Sequence, residues 1–258
     1  MAAKLEVATI FFDWGGTLAG VTREADHWPD CAARAVEVVA DEVGWGLHAA
    51  ADLLAEQFAA ALAAARRDPE HREVDTRAVL AVWAEQMGLG SPDEWPVDRA
   101  LDAFWHNWVG VLDPIEGAAE TLAELSRRGY RLGLVSNVAA VEPCALAELE
   151  RLGLRQWADA CTFSSTVGYR KPHPAIYDSA IAAVHGSGPR PEPSRMLFVG
   201  DGPIHDVAEP QRRGMKTALV RSEGLDWPAD QLRDARPDLR VDRVIELLDV
   251  LPPRASAL

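Results

Sequence analysis

The amino-acid sequence predicts an α/β fold with a parallel β-sheet core and an inserted all-helical domain. Short apolar runs alternate with helical patterns over most of the chain, which is typical of a parallel sheet. Each of these runs is almost continuously apolar, as strands covered on both faces require. One long segment after the first strand shows only helical periodicity. With 258 residues, the chain is long enough for a core domain that carries a second, smaller domain.

The predicted core is a Rossmann-like sheet in which strands and helices alternate. Its strands are predicted, in chain order, at 7–12, 131–135, 160–163, 196–199 and 217–220. Its helices are predicted at 116–128, 143–152, 174–184 and 206–213. The Gly- and Pro-rich residues 186–193 are predicted to form a surface loop.

Residues 23–109 are predicted to form a helical cap domain inserted after the first strand. Its helices are predicted at about 28–43, 48–66, 75–87 and 97–108. The core domain then comprises residues 1–22 and 110–251. Residues 252–258, which contain two prolines and small side chains, are predicted to be a disordered tail.

The composition indicates which partners to expect. The net charge is −14, and binding to nucleic acids or anionic membranes would need clustered lysine and arginine, so we expect a small-molecule ligand instead.

The N-terminal residues contain neither a basic region nor an apolar stretch of membrane length, which favours a cytoplasmic protein. The three cysteines lack metal-ligand spacing and are expected to be reduced. Scarce lysine beside abundant arginine is typical of a GC-rich bacterial genome. For the oligomeric state, the sequence is compatible with a monomer and with a homodimer.

Polar side chains follow the predicted strands at their carboxyl ends, where open α/β sheets bind ligands. Asp13 follows the first strand and precedes Gly15 and Gly16, a turn that would expose its carboxylate as a nucleophile or a metal ligand. Ser136 and Asn137 end the second strand. They could donate hydrogen bonds to a phosphoryl oxygen, although the same pair is common in turns.

Two later segments add charge of both signs to the same edge. Lys171 is the only lysine between Lys4 and Lys216, and the proline that follows it favours a fixed position for its ammonium group. Asp201 and Asp206 flank a Gly-Pro turn, a spacing that lets carboxylates hold a divalent cation such as Mg²⁺, although either acid alone would be an ordinary loop residue. Together the segments predict a phosphoryl-transfer site.

These residues, in this order, resemble the haloacid dehalogenase superfamily, whose members mostly transfer phosphoryl groups through an aspartyl-phosphate. The resemblance covers nearly the whole chain, and the cap is similar to the helical type inserted just after the first strand. It implies that Asp13 is the nucleophile and that Lys171 assists it. It implies a Mg²⁺ site made of Asp13, the backbone carbonyl of Gly15, Asp201 and Asp206. The phosphoryl group would be bound by Gly16, Thr17, Ser136, Asn137 and Lys171.

The sequence departs from this resemblance at Gly15. Phosphatases of the superfamily carry a second aspartate two residues after the nucleophile, which protonates the leaving oxygen and then activates water. A glycine has no side chain for either task. A positioned general acid or base contributes roughly 10²–10⁴-fold in rate, so we expect ordinary alkyl phosphates to be poor substrates unless another group replaces it. The metal site is expected to survive, because it uses only the backbone oxygen at this position.

Four interpretations follow from this departure. The favoured one is a Mg²⁺-dependent phosphohydrolase of a small phosphorylated metabolite, with a leaving group such as a phenol, enol, acyl or phosphoanhydride oxygen, or with an acid from the cap or the substrate. The second is a catalytically impaired protein that binds a phosphorylated ligand or partner. Cleavage of a carbon–phosphorus bond is disfavoured because residues 23–109 contain no lysine for a Schiff base. Carbon–halide cleavage is disfavoured because Asp201 and Asp206 are both present.

The cap contains aromatic side chains and candidates for the missing acid. Most of its tryptophans are expected to be core, but one or two facing the cleft would favour an aromatic or flat leaving group. These tryptophans are Trp28, Trp45, Trp83, Trp95, Trp105 and Trp108, and Trp14 lies next to Asp13. The candidate acids, each also explained as a surface, capping or linker residue, are His27, His106, His173, Glu24 and Asp26.

Overall fold

A computed structural model describes residues 5–20, 27–39, 47–89, 97–221 and 227–254 of the chain. The predicted α/β architecture is confirmed. A six-stranded sheet lies at the centre in the order β5-β4-β1-β6-β7-β8, and every neighbouring pair is parallel. Its strands are β1 (Thr9–Phe12), β4 (Arg131–Ser136), β5 (Ala160–Phe163), β6 (Met196–Gly200), β7 (Lys216–Val220) and β8 (Leu239–Val241).

The central position of β1 in this sheet determines where Asp13, the residue that follows it, lies. Phe12 pairs with Leu134 on one side and with Val199 on the other, and β1 is buried throughout. The carboxyl ends of β4, β1 and β6 therefore meet at one edge. All five predicted strands are present, within two residues of the predicted ends. The edge strand β8 was not predicted, because it has only three residues and one of them is an exposed arginine.

Helices cover both faces of the sheet and connect its strands. The helices of the core are Ala118–Arg127, Glu142–Arg151, Ser164–Val167, Pro174–His185, Glu209–Arg212, Ala229–Asp234 and Leu247–Val250. The predicted helix 206–213 is wrong at its start, because a π-helical turn, Pro203–Ala208, precedes Glu209–Arg212. The turn forms around Asp206, whose N–H donates to the Gly202 carbonyl (2.9 Å) while its Oδ2 accepts from the Gly202 N–H (2.8 Å).

The described residues between Gly20 and Asp113 form four helices, where helical periodicity was predicted. They are α1 (Trp28–Val38), α2 (Leu47–Ala65), α3 (Thr76–Gln86) and α4 (Val97–Trp108). Their common core is aromatic: Phe58 stacks on Phe104 with ring centroids 4.2 Å apart, and Trp105 meets both rings edge-on. The predicted extension of the first helix to residue 43 lies outside the described residues.

A two-stranded ribbon joins these helices to the sheet domain. Strand β2 (Ala19–Gly20) leaves the sheet domain and pairs antiparallel with β3 (Asp113–Pro114), which returns to it. The returning chain is also held by the buried carboxylate of Glu148, which accepts from the N–H groups of Gly110 (2.7 Å) and Leu112 (3.0 Å). Both connections are therefore fixed close to the end of β1.

The last described residues pack on the sheet domain. The Tyr130 hydroxyl donates to the carbonyl of Pro252 (2.8 Å), and the N–H of Arg254 donates to the carbonyl of Arg128 (2.9 Å). Residues 252–254, which were predicted to belong to a disordered tail, are thus hydrogen-bonded, and residues 255–258 lie outside the described part. Within the described residues, no helix has the length and apolar character needed to cross a membrane.

Candidate active site

Three buried carboxylates and one buried ammonium group meet at the carboxyl edge of the sheet. Asp13 directly follows β1, and its N–H donates to the carbonyl of Val199 (2.8 Å), which extends the ladder between β1 and β6 by one residue. Lys171 Nζ donates to Asp13 Oδ1 (2.6 Å) and to Asp206 Oδ1 (2.8 Å). All three side chains are almost completely buried. Lys171 thus holds two carboxylates in place from residues far apart in the chain.

The third carboxylate, Asp201, follows β6 and has two partners of its own. Trp227 Nε1 donates to Asp201 Oδ2 (2.8 Å), and Thr17 Oγ1 donates to Asp201 Oδ1 (3.4 Å). One oxygen each of Asp13, Asp201 and Asp206 lies within 4.8 Å of the others. Carboxylate oxygens at this spacing are the donors that a hard divalent cation prefers.

The charge balance of this cluster favours a bound cation. Three carboxylates face one ammonium group, so burial and the neighbouring charges of Asp13 and Asp206 raise the pKa of Asp201 to about 8. Burial also raises the pKa of Asp13, against the attraction of Lys171. Burial opposes the charge of Lys171, but Asp13 and Asp206 outweigh it and raise the pKa of Lys171. A divalent cation would relieve the repulsion among the three carboxylates.

The backbone after β6 is shaped by the Asp206 side chain. A Cβ atom added at Gly200 would lie 2.3 Å from Asp206 Cγ, and one added at Gly202 would lie 2.8 Å from Asp206 Oδ2. Neither position can carry a side chain without displacing the carboxylate. The two glycines therefore let Asp206 fold back against the strand end, where it reaches Lys171.

Asn137 positions Lys171. Its Oδ1 accepts from the Lys171 N–H (2.6 Å) and its Nδ2 donates to the Lys171 carbonyl (3.1 Å), across 34 residues of sequence. Ser136, at the end of β4, is buried and borders the same cavity as Asp13. Ser136 and Asn137 are therefore brought to Lys171 as predicted, and one N–H of the Asn137 amide is already used.

Two predicted phosphate-binding residues have other contacts. The N–H of Gly16 donates to the carbonyl of Ala19 (2.7 Å), in a turn that needs the positive φ of 81° at Gly16. The hydroxyl of Thr17 is bonded to Asp201. Neither residue borders the cavity, whereas Gly15 does. Their geometry supports the turn and Asp201 rather than a direct contact with a ligand.

A cavity of about 460 Å³ opens above this cluster and is lined by residues of the sheet core and of the helical segment. Sequence reasoning missed five of the lining residues, which are Arg66, His71, Arg170, His205 and Trp227. Arg170 and His205 lie next to Lys171 and Asp206 in the segments that mark the site, and this adjacency could have drawn attention to them. Arg66, His71 and Trp227 lie outside those segments.

The wall opposite the cluster is a loop, residues 66–74, that we call the cap loop. The N–H of Arg170 donates to the carbonyl of His71 (2.7 Å), and the N–H of Glu73 donates to the carbonyl of Gly168 (2.9 Å). Arg170 Nη1 donates to both carboxylate oxygens of Glu73 (2.8 Å each), and the Ser164 hydroxyl donates to the same carboxylate. The cap loop is thus bound to the segment that precedes Lys171.

The histidines around the site differ in surroundings. His205 borders the cavity, its ring is edge-on to Trp227, and burial together with the charge of Lys171 lowers its pKa to about 4. The predicted acid candidate His173 instead caps helix Pro174–His185 by accepting from the Ala175 N–H (3.2 Å), and it stacks on Tyr169. His27 and His106 do not border the cavity.

The described cap tryptophans are core residues. Trp83 is fully buried and donates to the carbonyl of Ala50 (2.9 Å), Trp105 and Trp108 are also buried, and Trp28 stacks on Phe104. Trp14 packs edge-on against Trp108. None of them borders the main cavity, whose described indole is that of Trp227. Trp28, which is only partly buried, and Trp105 line a small adjoining pocket with Arg66, Asn137 and Arg170. The predicted Trp45, Trp95, Glu24 and Asp26 lie outside the described residues.

The chain is similar in sequence to several phosphatases. It is 31% identical over 160 residues to the glyceraldehyde 3-phosphate phosphatase of Methanopyrus kandleri, in an alignment that covers 62% of this chain and 66% of that protein. It is 26% identical over 172 residues to the ribulose-1,5-bisphosphate 5-phosphatase of Halopiger xanaduensis, covering 65% and 69%. The chain thus spans about two thirds of the length of these curated relatives.

The same fold occurs in solved structures over almost the full length of the chain. A 2-haloacid dehalogenase from Pseudomonas syringae pv. Tomato matches with a TM-score of 0.67 at 24% identity, over 95% of this chain and 97% of that one. A HAD phosphatase from Thermococcus onnurineus matches with a TM-score of 0.60 at 19% identity, over 96% and 99%. The family model for haloacid dehalogenase-like hydrolases matches residues 7–211. The chain therefore belongs to the haloacid dehalogenase-like hydrolase family.

Proposed function

We propose that the protein is a Mg²⁺-dependent phosphohydrolase that acts on a small phosphorylated metabolite through an aspartyl-phosphate on Asp13. The observation that carries this proposal is the position of Asp13: its carboxylate is buried, bonded to Lys171 Nζ at 2.6 Å, and within 4.8 Å of two further carboxylates. A carboxylate held in this way has one fixed oxygen and one oxygen left for attack. In this proposal residues 1–22 and 110–251 form the catalytic core and residues 23–109 form the cap.

The donors of this site fit a magnesium ion. Asp13, Asp201 and Asp206 would hold it, with the carbonyl of Gly15, which borders the same cavity. When bound, Mg²⁺ would supply positive charge against the oxygens of the transferred phosphoryl group. The raised pKa values of Asp13 and Asp201 support this, because burial, and to a lesser extent the neighbouring carboxylates, make these negative charges costly in the protein alone.

The residues of the chain would bind the phosphoryl group and orient the attack. Lys171 holds Asp13 in one orientation and places a fixed positive charge beside it, and Asn137 fixes the backbone of Lys171. Ser136, at the neighbouring strand end, would donate its hydroxyl to a phosphoryl oxygen. Preorganised donors of this kind contribute about 2.7–4 kcal/mol each to transition-state stabilisation.

The cavity also favours a class of substrate. The metal cluster makes one side of the cavity acidic, while Arg66 of the cap loop adds a positive charge to its lining; the charge of Arg170 is compensated by Glu73. A small molecule with a phosphate at one end and polar or anionic groups at the other would match both. The phosphatase relatives support this, since the names of two of them specify phosphorylated three- and five-carbon compounds. The volume of about 460 Å³ suits a metabolite of this size.

A series of phosphate esters tests the proposal. We expect Mg²⁺-dependent release of phosphate, abolished by EDTA, and kcat/KM should be measured for leaving groups from nitrophenyl to alkyl. The absence of turnover for every ester, with phosphate still bound, would contradict the proposal. It would favour the second candidate, a protein that binds a phosphorylated ligand without turnover, which the missing side chain at Gly15 keeps open.

A further inference from the structure

Among the described residues, the cavity has no acidic side chain apart from the metal cluster. Gly15 borders the cavity two residues after Asp13 and carries no side chain. The described carboxylates that border it are Asp13, Asp201 and Asp206, which form the metal cluster. Within the described residues, a proton for the leaving oxygen would therefore come from another bordering group.

His71 lies in the cavity wall contributed by the cap. It is half-buried and borders the cavity together with Asp13 and Lys171, while its own chain segment belongs to the cap loop. Residues of the cap loop and of the core cluster border one cavity, so a substrate whose phosphoryl group lies at Asp13 would share that cavity with His71. An imidazole ordinarily has a pKa near neutrality, which suits both donation and acceptance of a proton.

The backbone of His71 is held on both sides. Its carbonyl accepts from the Arg170 N–H (2.7 Å), and its N–H donates to the carbonyl of Asp68 (2.9 Å). The Asp68 carboxylate accepts from the N–H groups of Glu70 (3.1 Å) and Arg72 (3.2 Å) and so closes the turn around His71. The residue next to Lys171 thus fixes His71 directly, which couples the position of the imidazole to that of the core cluster.

The conformation of His71 is unusual for a residue with a side chain. Its φ is +54°, and it is the only non-glycine residue with a positive φ among those described. This left-handed region is unfavourable for most side chains and is kept where the surrounding structure enforces it, often at functional sites. Histidine is among the non-glycine residues that adopt this region most readily, so the turn can hold an imidazole at this position in the cavity wall.

We propose that His71 is the general acid and base that replaces the missing side chain at position 15. This inference rests on the proposed phosphohydrolase function. In the first step an oxygen of Asp13 bonds to phosphorus, the bond from phosphorus to the leaving oxygen breaks, and that oxygen takes a proton from the His71 imidazolium. In the second step water bonds to phosphorus and gives a proton to the neutral imidazole, and the bond to Asp13 breaks to restore its carboxylate. Each turnover returns His71 to its protonated form.

Charged groups of both signs border the cavity that His71 lines. They are the cations Arg66, Arg170 and Lys171 and the carboxylates Asp13, Asp201 and Asp206, while Glu73 pairs with Arg170. The cations place His71 in a cavity where a leaving alkoxide would be stabilised.

Replacement of His71 by asparagine tests the inference, because asparagine tolerates a positive φ and cannot exchange a proton near neutral pH. We expect kcat/KM of His71→Asn for propyl phosphate to fall roughly 10²–10⁴-fold, and for nitrophenyl phosphate to fall less than about tenfold, because only the alkoxide needs protonation. His106→Asn is the matched control, since His106 is exposed and away from the cavity. Its kcat/KM should equal that of the wild type for both esters.

Several outcomes would overturn the inference while leaving the proposed function intact. Equal losses on both esters would assign His71 a binding or structural role, and unchanged rates would assign it none. A wild-type rate that already falls steeply with leaving-group pKa would show that no acid operates. If Asp13→Asn retained wild-type turnover, the proposed function itself would fail. The melting temperature of His71→Asn should match that of the wild type.

Discussion

The two walls of the cavity are built in different ways. On the core side, Asp13 and Asp201 directly follow strands β1 and β6, and their positions depend on local strand geometry. On the cap side, His71 is positioned by a loop that pairs with residues about a hundred positions later, through an isolated bridge between Arg72 and Tyr169. The core wall is therefore a property of the sheet, whereas the cap wall exists only when two distant segments meet.

This difference separates two tasks of the enzyme. In the proposed function, the core wall carries the groups that phosphoryl transfer needs, and they are fixed by buried contacts such as the one between Lys171 and Asp13. The cap wall would carry groups that meet the rest of the substrate. Variants of the core wall should therefore affect every substrate alike, and variants of the cap wall should affect substrates selectively.

The largest effect is expected for Asp13→Asn. Asparagine has the same shape but cannot form the aspartyl-phosphate, so kcat should fall by roughly 10⁴-fold or more for every ester. Because burial raises the pKa of Asp13, the loss of its charge should not lower stability. Steady-state kinetics and a melting curve measure the two quantities. Turnover above this level in a well-folded variant would contradict a covalent mechanism.

The core wall could be predicted from the sequence because each of its parts is local. An apolar run, a turn and an acidic residue locate Asp13 and Asp201, and the lysine at position 171 is conspicuous in a chain poor in lysine. The hydrogen bonds of Asn137 to the Lys171 backbone were not predicted, because they join residues 34 positions apart. His71 and Trp227 were missed for the same physical reason: tertiary contacts between loops bring them to the cavity, and no periodic pattern marks them.

The second-largest effect is expected for Glu73→Gln, which weakens the contact between the two walls. Glu73 and Arg170 are both buried, and breaking a buried ion pair typically costs roughly 3–5 kcal/mol because one charge is left uncompensated. Glutamine retains an acceptor, so we expect a loss of about 2–3 kcal/mol in the free energy of unfolding. Activity on substrates that need the cap loop should fall more than activity on nitrophenyl phosphate.

Denaturant unfolding and kcat/KM for two esters measure this prediction. The matched control is Glu37→Gln, which removes the same charge from an exposed pair with Arg34. Exposed pairs contribute about 0–1 kcal/mol, so the control should be close to the wild type. If both variants lost the same stability, the contact between Glu73 and Arg170 would not be what holds the cap loop.

A smaller effect is expected for Gly15→Asp, which adds a carboxyl group on the core side of the cavity. This group could take over the role proposed for His71 on the cap side. Gly15 borders the cavity and does not have a positive φ, so an aspartate fits the backbone conformation. In the His71→Asn variant, we expect it to restore roughly 10–100-fold of the lost rate on propyl phosphate, within the usual range for a positioned acid. Kinetics of the double variant provide the test. No recovery would show that position 15 does not face the leaving oxygen.

The smallest effect is the pH dependence of metal binding, and it tests the core wall alone. In the metal-free protein the pKa of Asp201 is raised to about 8, because it is buried beside Asp13 and Asp206. Below that pH a metal ion must displace a proton, so the dissociation constant for Mg²⁺ should fall about tenfold per pH unit between pH 6 and 7.5 and level off above 8. Calorimetry in buffers of different ionisation enthalpy would measure the released proton.

The sign of the linked stability follows from the same pKa. A carboxyl group whose folded pKa is above its unfolded value of 3.8 contributes stability that is fully present below that value and is lost as the pH rises toward 8. The melting temperature of the metal-free protein should therefore fall as the pH rises from 3.8 to about 8 and level off above it, and excess Mg²⁺ should remove most of that fall. In Asp201→Asn, which has no proton to release, the pH-dependent part should shrink in the metal-free protein. A melting temperature that falls equally with and without Mg²⁺ would place the titrating group elsewhere, because a cation held by these three carboxylates must compete with the proton on Asp201.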